Sequence, residues 1–183
     1  FVWASPPCQG YSVMRNLTWL AAKEYPLLIE PIRERLIAWG GAWIIENVMG
    51  ARRQAMMDAH WLCGTMFGLP FYRHRLFQAN FLWLVPYHPP HDAVIRSGRM
   101  LGGRAREVAF RPANQGGALR QPSVEWGLPR ILDDDSGLIG VARVRAAMGI
   151  SWMTGEELSQ AIPPAYSRYL AQFIPLGVET VAS

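Results

Sequence analysis

A short apolar run that ends in a proline-cysteine turn is the strongest constraint on this chain. Phe1-Val2-Trp3-Ala4 has the length and composition of a buried strand, and Ser5-Pro6-Pro7-Cys8-Gln9-Gly10 follows it directly. The prolines fix the backbone before Cys8, and Gly10 permits a sharp turn after it. Ligands of open α/β sheets bind at the carboxyl ends of strands, so Cys8 is predicted to be a nucleophile. A buried structural thiol is the alternative, because cysteine is among the most buried residue types.

A second apolar run also ends in polar residues. Trp43-Ile44-Ile45-Glu46-Asn47-Val48 reads as a central strand with Glu46 and Asn47 at its tip. Glutamate is almost never buried without a partner, and burial can raise the pKa of a carboxyl group toward the range of a general acid. A thiol and a carboxyl group at neighbouring strand ends suggest covalent addition to an electrophilic ring, with proton donation to that ring.

Two arginines form the third element. Arg73 and Arg75, in Arg73-His74-Arg75-Leu76-Phe77, are predicted to share one face of a strand. Their charge would favour a nearby thiolate, and it suits phosphates and ring carbonyl oxygens.

The remaining pattern predicts one helix and one further strand up to residue 84, and it leaves Met56–Leu69 ambiguous. Tyr25–Trp39 is predicted to be a helix, with Leu28, Ile32, Leu36 and Trp39 as its apolar stripe. Pro26 is expected in its first turn, Pro31 at a bend, and Gly40-Gly41 at its end. Arg75–Leu84 is predicted to be a strand. Further helices are expected over Arg143–Met148, over Leu158–Ala161 after a capping box at Thr154 and Glu157, and from Pro164 to about Phe173.

Composition narrows the class of protein. The 183 residues suffice for one core, half of them are hydrophobic, and no apolar run reaches the roughly 18 residues of a membrane span. Cys8 and Cys63 suggest no disulfide scaffold, which fits a reducing cytoplasm. These two cysteines lack metal-ligand spacing, so no metal is expected, and Cys63 is predicted to be a core thiol.

Basic charge is concentrated in a segment rich in proline and glycine, between Val85 and Ser136. Between His91 and Arg120 this segment has six arginines and only two acidic residues. The arginines are Arg96, Arg99, Arg104, Arg106, Arg111 and Arg120. A phosphate backbone would select such a patch. A solvated surface is the alternative, because all but one of the 18 basic residues are arginine.

These elements, in this order, resemble the DNA (cytosine-5)-methyltransferases. Pro7-Cys8-Gln9 resembles their Pro-Cys nucleophile loop, and Glu46-Asn47-Val48 resembles their Glu-Asn-Val motif. Arg73 and Arg75 match their Gln-x-Arg-x-Arg motif, with Phe71 in place of the glutamine. Ser159-Gln160-Ala161-Ile162-Pro163-Pro164 resembles their Gly-Asn-x-Val-Pro-Pro segment. The stretch from Met148 to Tyr166 is most similar to small, phage-encoded members.

The resemblance implies an activity and a set of site residues. It implies methyl transfer from S-adenosylmethionine to carbon 5 of a cytosine flipped out of double-stranded DNA, through a covalent adduct with Cys8. Glu46, Asn47, Arg73 and Arg75 would complete the catalytic set. Contacts to the cofactor are expected from Pro7, Gln9, Gln160 and Ile162, and contacts to DNA from Gly10, Ser12, Arg96, Arg99, Arg104 and Arg106.

The resemblance also implies an architecture. We expect a partial Rossmann-like methyltransferase sheet that lacks its first strands, because the family's Phe-x-Gly-x-Gly cofactor loop has no counterpart and the chain begins within a strand at Phe1. Residues 1–84 would form the catalytic core, residues 85–136 a small target-recognition region, and residues 137–183 helices that return to the core. A cytoplasmic monomer, encoded by a bacterium or a phage, is expected. Both a restriction companion and a phage self-protection enzyme fit these features.

Two other readings stay open. A DNA-binding remnant without catalytic activity would keep the core and the basic patch while lacking the cofactor loop. A cysteine hydrolase would require a histidine partner for Cys8, from among His60, His74, His88 and His91.

Overall fold

The computed structural model describes residues 1–12, 24–91 and 140–175. Most of the predicted target-recognition region lies outside the described residues, and so do four arginines that were expected to contact DNA, namely Arg96, Arg99, Arg104 and Arg106. Within them the chain is mixed α/β, as the sequence predicted. It divides into two compact units, one of residues 1–62, 74–85 and 168–183, the other of residues 63–73 and 86–167. The predicted division into residues 1–84, 85–136 and 137–183 remains a prediction.

The described elements comprise four strands and four α-helices. The strands are β1 (Val2–Ala4), β2 (Trp43–Asn47), β3 (His60–Leu62) and β4 (Arg75–Ala79). The helices are α1 (Ile29–Trp39), α2 (Gly140–Met148), α3 (Gly155–Gln160) and α4 (Pro164–Ala171). Two 3₁₀ helices, Met49–Arg53 and Gly64–Phe67, follow β2 and β3.

The first unit is built on a small, open, mixed sheet with the strand order β1-β2-β4-β3. β1 pairs with β2 in parallel, with Ala4 opposite Ile45, and α1 forms the crossover between them. β4 runs antiparallel to both β2 and β3. All five residues of β2 are buried, as expected for a strand paired on both sides.

α1 covers this sheet with a narrower stripe than the sequence predicted. Ile29 and Leu36 are buried in one core cluster and Ile32 is partly buried against that cluster, whereas Trp39 is exposed. The helix begins at Ile29 and not at Tyr25, because the hydroxyl of Tyr11 accepts a hydrogen bond from the Ile29 amide at 3.0 Å. That contact satisfies one of the amides that a helix start leaves without an intrahelical partner.

Two proline predictions for α1 are corrected by its actual start. Pro26 lies before the helix, and Pro31 is its third residue. A proline in the first turn removes no intrahelical hydrogen bond, so Pro31 begins the helix and does not bend it. Gly40 ends the helix as predicted, with a φ of 80° and its amide bonded to the Leu36 carbonyl. β4 is shorter than the predicted strand, because regular pairing ends at Ala79.

The second unit has its own apolar core. Phe71, Val144, Met148, Ile150 and Leu158 are buried together. α3 begins with the predicted capping box, in which the amide of Glu157 donates to the Thr154 hydroxyl and the amide of Thr154 donates to the Glu157 carboxylate. Hydrogen bonds from the amide and hydroxyl of Thr154 lower the pKa of Glu157.

The described helices are short. The longest, α1, has 11 residues, and none in the part of the chain that the structure describes is long and apolar enough to cross a membrane.

Gly50 marks a close approach between the 3₁₀ helix after β2 and the turn after β1. A Cβ atom on Gly50 would lie 2.1 Å from the carbonyl oxygen of Tyr11, far inside van der Waals contact. Gly50→Ala should therefore lower the free energy of unfolding by about 1–3 kcal/mol, the usual cost of overpacking, measured by denaturant titration.

Gly40→Asn is the matched control for this prediction. Gly40 has open space around it, and its left-handed backbone suits asparagine better than other residues. A loss for Gly50→Ala no larger than that for Gly40→Asn would contradict the close approach.

Candidate active site

Strand pairing brings the predicted catalytic motifs to one edge of the sheet. β1 and β2 are parallel, so the turn that carries Cys8 and the tip that carries Glu46 and Asn47 leave the sheet at the same edge. β4 runs the opposite way with Leu76 opposite Asn47, so its first residue, Arg75, lies at that edge as well. This grouping depends on the register of three strands that are far apart in sequence.

The Cys8 turn is a compact structure. The carbonyl of Cys8 accepts hydrogen bonds from the amides of Tyr11 at 3.0 Å and Ser12 at 2.9 Å. Gly10 is buried, and a Cβ atom there would lie 2.8 Å from Leu27 Cδ2. Cys8 itself is half-buried. The turn therefore holds a partly accessible thiol on a fixed backbone. The DNA contacts expected from Gly10 and Ser12 remain predictions, and Gly10 also has this packing reason to be glycine.

Asn47 fastens the Cys8 turn to β2. Its side chain is buried, and its Nδ2 donates to the carbonyl of Pro6 at 2.9 Å, while its Oδ1 accepts from the amide of Val48 at 3.0 Å. Both functions of the amide are thus used by backbone groups. Asparagine suits this position because it supplies a donor and an acceptor at once.

Glu46, which is buried, and Arg75, which is largely buried, form an ion pair. Arg75 Nε lies 3.2 Å from Glu46 Oε1, and the side chains are 13% and 8% exposed. Arg75 Nη1 also donates to the carbonyl of His74 at 3.0 Å, which fixes the guanidinium. Desolvation of both charges makes loss of either partner costly, about 3–5 kcal/mol for a fully buried pair. The pair orients the carboxylate at the edge where the Cys8 turn lies.

Arg73 differs from Arg75 in both position and contacts. β4 begins at Arg75, so the prediction that the two arginines share one face of a strand is wrong. Arg73 belongs to the second unit, where it is fully buried and its Nη2 donates to the carbonyl of Ser159 at 2.6 Å. The hydroxyl of Tyr166 donates to the Arg73 carbonyl. Within this unit Arg73 supports the Ser159–Pro164 segment, and its catalytic role remains a prediction.

The residues expected to contact the cofactor divide between the two units. Pro7 and Gln9 are exposed on the Cys8 turn in the first unit. In the second unit Ile162 is half-buried, and exposed Gln160 lines an open depression with Thr154, Glu156, Glu157 and Ala161. Amide and carboxylate groups are donors and acceptors suited to the ribose hydroxyls and ammonium group of S-adenosylmethionine. The donor chemistry of these residues therefore fits the expected group.

Two features of the structure were not predicted from the sequence. Tyr11 anchors the start of α1 through its hydroxyl, a contact across 18 residues that no local pattern signals. In the second unit, Cys63, His88 and His91 bring a sulfur and two ring nitrogens together. The spacing of His88 and His91 in His88-Pro89-Pro90-His91 was the available signal, since two histidines three residues apart can bind the same metal ion.

The chain matches no family model and no curated protein sequence. Function is therefore inferred from the residues and contacts of the site.

Asn47→Asp should destabilise the protein by about 1–3 kcal/mol at pH 7, because a carboxylate keeps the acceptor for the Val48 amide but loses the buried donor to Pro6. Asn80→Asp is the matched control. Asn80 also donates to a backbone carbonyl, that of Gly41, and accepts from a backbone amide, but it is exposed. Denaturant unfolding of both variants tests the prediction. Equal losses in the free energy of unfolding would show that burial of the Asn47 side chain does not increase the cost of the substitution.

Proposed function

We propose that this chain carries the catalytic edge of a DNA cytosine-5 methyltransferase, with Cys8 as the nucleophile toward cytosine. The observation that carries the proposal is the joint placement of the Cys8 turn, Glu46 and Arg75 at one sheet edge. The order of the motifs along the sequence, described above, supports the same chemistry. A partial Rossmann-like sheet is part of the proposal, and the mixed four-stranded sheet is compatible with it.

Cys8 supplies the bond that starts the reaction. Carbon 6 of cytosine is electron-poor, so the thiolate of Cys8 adds there and forms an Sγ–C6 bond. The electron pair of the C5–C6 double bond moves into the ring toward nitrogen 3. The fixed backbone of the Cys8 turn lowers the entropic cost of bringing the sulfur to that carbon.

Glu46 and Arg75 stabilise the negative charge that develops on the ring when the thiolate adds. Glu46 in its acid form gives a proton to ring nitrogen 3 as the electron pair arrives there, which leaves carbon 5 enamine-like and nucleophilic. Arg75 binds the carbonyl oxygen of the ring, and its guanidinium exchanges the Glu46 carboxylate for that oxygen when the base enters. The ion pair of the base-free site thus holds both groups ready at one place.

The methyl group comes from S-adenosylmethionine, whose sulfonium makes that methyl electrophilic toward carbon 5. Pro7 and Gln9, exposed on the Cys8 turn, are the residues of the first unit that we assign to contacting this group, and the contacts expected from Gln160 and Ile162 remain predictions. Methyl transfer would release S-adenosylhomocysteine. Water then takes the proton from carbon 5, nitrogen 3 returns its proton to Glu46, and the C5–C6 double bond forms again as the electron pair of the Sγ–C6 bond returns to the thiolate of Cys8.

The substrate must leave the DNA stack before this chemistry. The ring edge of a paired cytosine is out of reach, so the base flips out at a cost of a few kcal/mol. Arginines between residues 91 and 120 are the groups that we assign to holding the DNA backbone.

DNA that carries 5-fluorocytosine should trap the Cys8 adduct, because fluorine cannot leave carbon 5 as a proton does. With S-adenosylmethionine, the full-length protein should give a complex that survives denaturation, and peptide mapping should place the linkage at Cys8 and not at Cys63. Cys8→Ser should abolish the complex. An adduct that persists in Cys8→Ser would refute the assignment, and DNA binding without any adduct would favour the DNA-binding remnant.

Glu46→Gln should lower turnover by a factor on the order of 10² or more while DNA affinity changes little, since the carboxyl acts mainly as charge develops in the transition state. Glu30→Gln is the matched control, because Glu30 also pairs with an arginine, Arg33, but is 57% exposed. Single-turnover methylation and DNA titration separate the two effects. A loss in DNA affinity alone would make Glu46 a structural residue.

A further inference from the structure

Three metal-binding side chains converge in the second unit. Cys63 Sγ lies 3.5 Å from His91 Nε2, and His91 Nε2 lies 3.0 Å from His88 Nε2. The ligand atoms of all three lie within 4.8 Å of one another. Cys63 is buried, and the two histidines are half-buried. We call these residues the Cys-His-His cluster.

The distances between the ligand atoms fit a single metal ion with tetrahedral coordination. Zinc binds thiolate sulfur at about 2.3 Å and imidazole nitrogen at about 2.0–2.1 Å, so at tetrahedral angles the sulfur and a nitrogen should lie about 3.5 Å apart and two nitrogens about 3.3 Å apart. The observed 3.5 and 3.0 Å are close to both values. A sulfur and two ring nitrogens are also the ligand types that zinc prefers over magnesium or calcium.

Neighbouring groups orient the ligands from outside. The hydroxyl of Thr65 donates to Cys63 Sγ at 3.3 Å, and the amide of Cys63 donates to Met66 Sδ at 3.3 Å. The ring of Tyr72 stacks on that of His91, with centroids 3.7 Å apart and planes 15° from parallel. Such contacts outside the ligand set fix ligand direction, and their loss commonly reduces metal affinity about 10–100-fold.

Partial burial, and then the neighbouring His91, lower the pKa of His88. Hydrogen bonds are the alternative explanation of both separations, one between the two rings at 3.0 Å and one between Cys63 Sγ and His91 Nε2 at 3.5 Å. A single metal ion accounts for both distances at once, and Co²⁺ binding distinguishes the two explanations.

We propose that Cys63, His88 and His91 bind a Zn²⁺ ion in the second unit. The ion would join residues 63–73 to residues 86–91, two segments of that unit that are separated in sequence. Residues 86–91 form the beginning of the proline- and glycine-rich segment between Val85 and Ser136, so the ion would hold the start of that segment in place. This role is structural and does not depend on the proposed methyl transfer. It revises the expectation of no metal, which rested on the spacing of Cys8 and Cys63 alone.

Co²⁺ is the spectroscopic probe for this site. Untagged full-length protein, freed of metal by a chelator, should bind one Co²⁺ with a thiolate-to-cobalt charge-transfer band in the near ultraviolet and intense visible bands typical of tetrahedral cobalt. Zn²⁺ should displace the cobalt and raise the midpoint of thermal unfolding. Absence of the charge-transfer band and of any stabilisation by Zn²⁺ would overturn the proposal.

Substitution of each residue of the Cys-His-His cluster tests whether that residue binds the metal ion. His88→Ala and His91→Ala should weaken Co²⁺ binding by more than the 10–100-fold typical of a supporting residue. His60→Ala, an exposed histidine of the first unit, is the control and should bind normally. Cys63→Asp should keep visible cobalt bands but lose the charge-transfer band, so it reports on the site even where Cys63→Ala fails to fold. Cys8→Ser should retain the charge-transfer band. If the band were lost in Cys8→Ser and persisted in Cys63→Asp, the assignment of Cys63 as the ligand would be refuted.

Discussion

The hydrogen-bonded pairing of β2 with strands on both sides is the constraint on which the candidate active site depends. β2 is fully buried, with β1 parallel on one side and β4 antiparallel on the other. A slip of one residue in either pairing would turn Glu46 or Arg75 to the opposite face of the sheet, because side chains alternate along a strand. Ile44 and Ile45 make such a slip costly, since both are completely buried.

Buried polar groups then define the site within that frame. Among the described residues, Glu46, Asn47 and Arg73 are the buried polar or charged side chains, and each has a defined partner. Two of them lie at the sheet edge of the first unit, and the third supports the Ser159–Pro164 segment of the second. Burial without a partner would cost several kcal/mol for a charged group, so these contacts fix the local structure as well as any chemistry there.

Local signals were reliable where a few adjacent residues decide the structure. The strand before Cys8, the end of α1 at Gly40 and the capping box at Thr154 were predicted correctly, because apolar runs, left-handed glycine and Thr-x-x-Glu act within one turn of chain. The start of α1 was predicted wrongly, since its first amide is satisfied by Tyr11, 18 residues earlier. Arg73 and Arg75 were expected on one strand face, and the actual start of β4 separates their roles.

The sequence by itself determined the chemical types at the candidate site, because a thiol between Pro7 and Gly10 and a Glu-Asn pair after an apolar run are local features. Only the tertiary structure decided which of these groups meet. The pairing of Glu46 with Arg75, the bond from Asn47 to Pro6 and the approach of Cys63 to His91 join residues 28 to 41 positions apart. The physical reason is that such contacts depend on strand register and on the burial of whole elements, which no window of a few residues encodes.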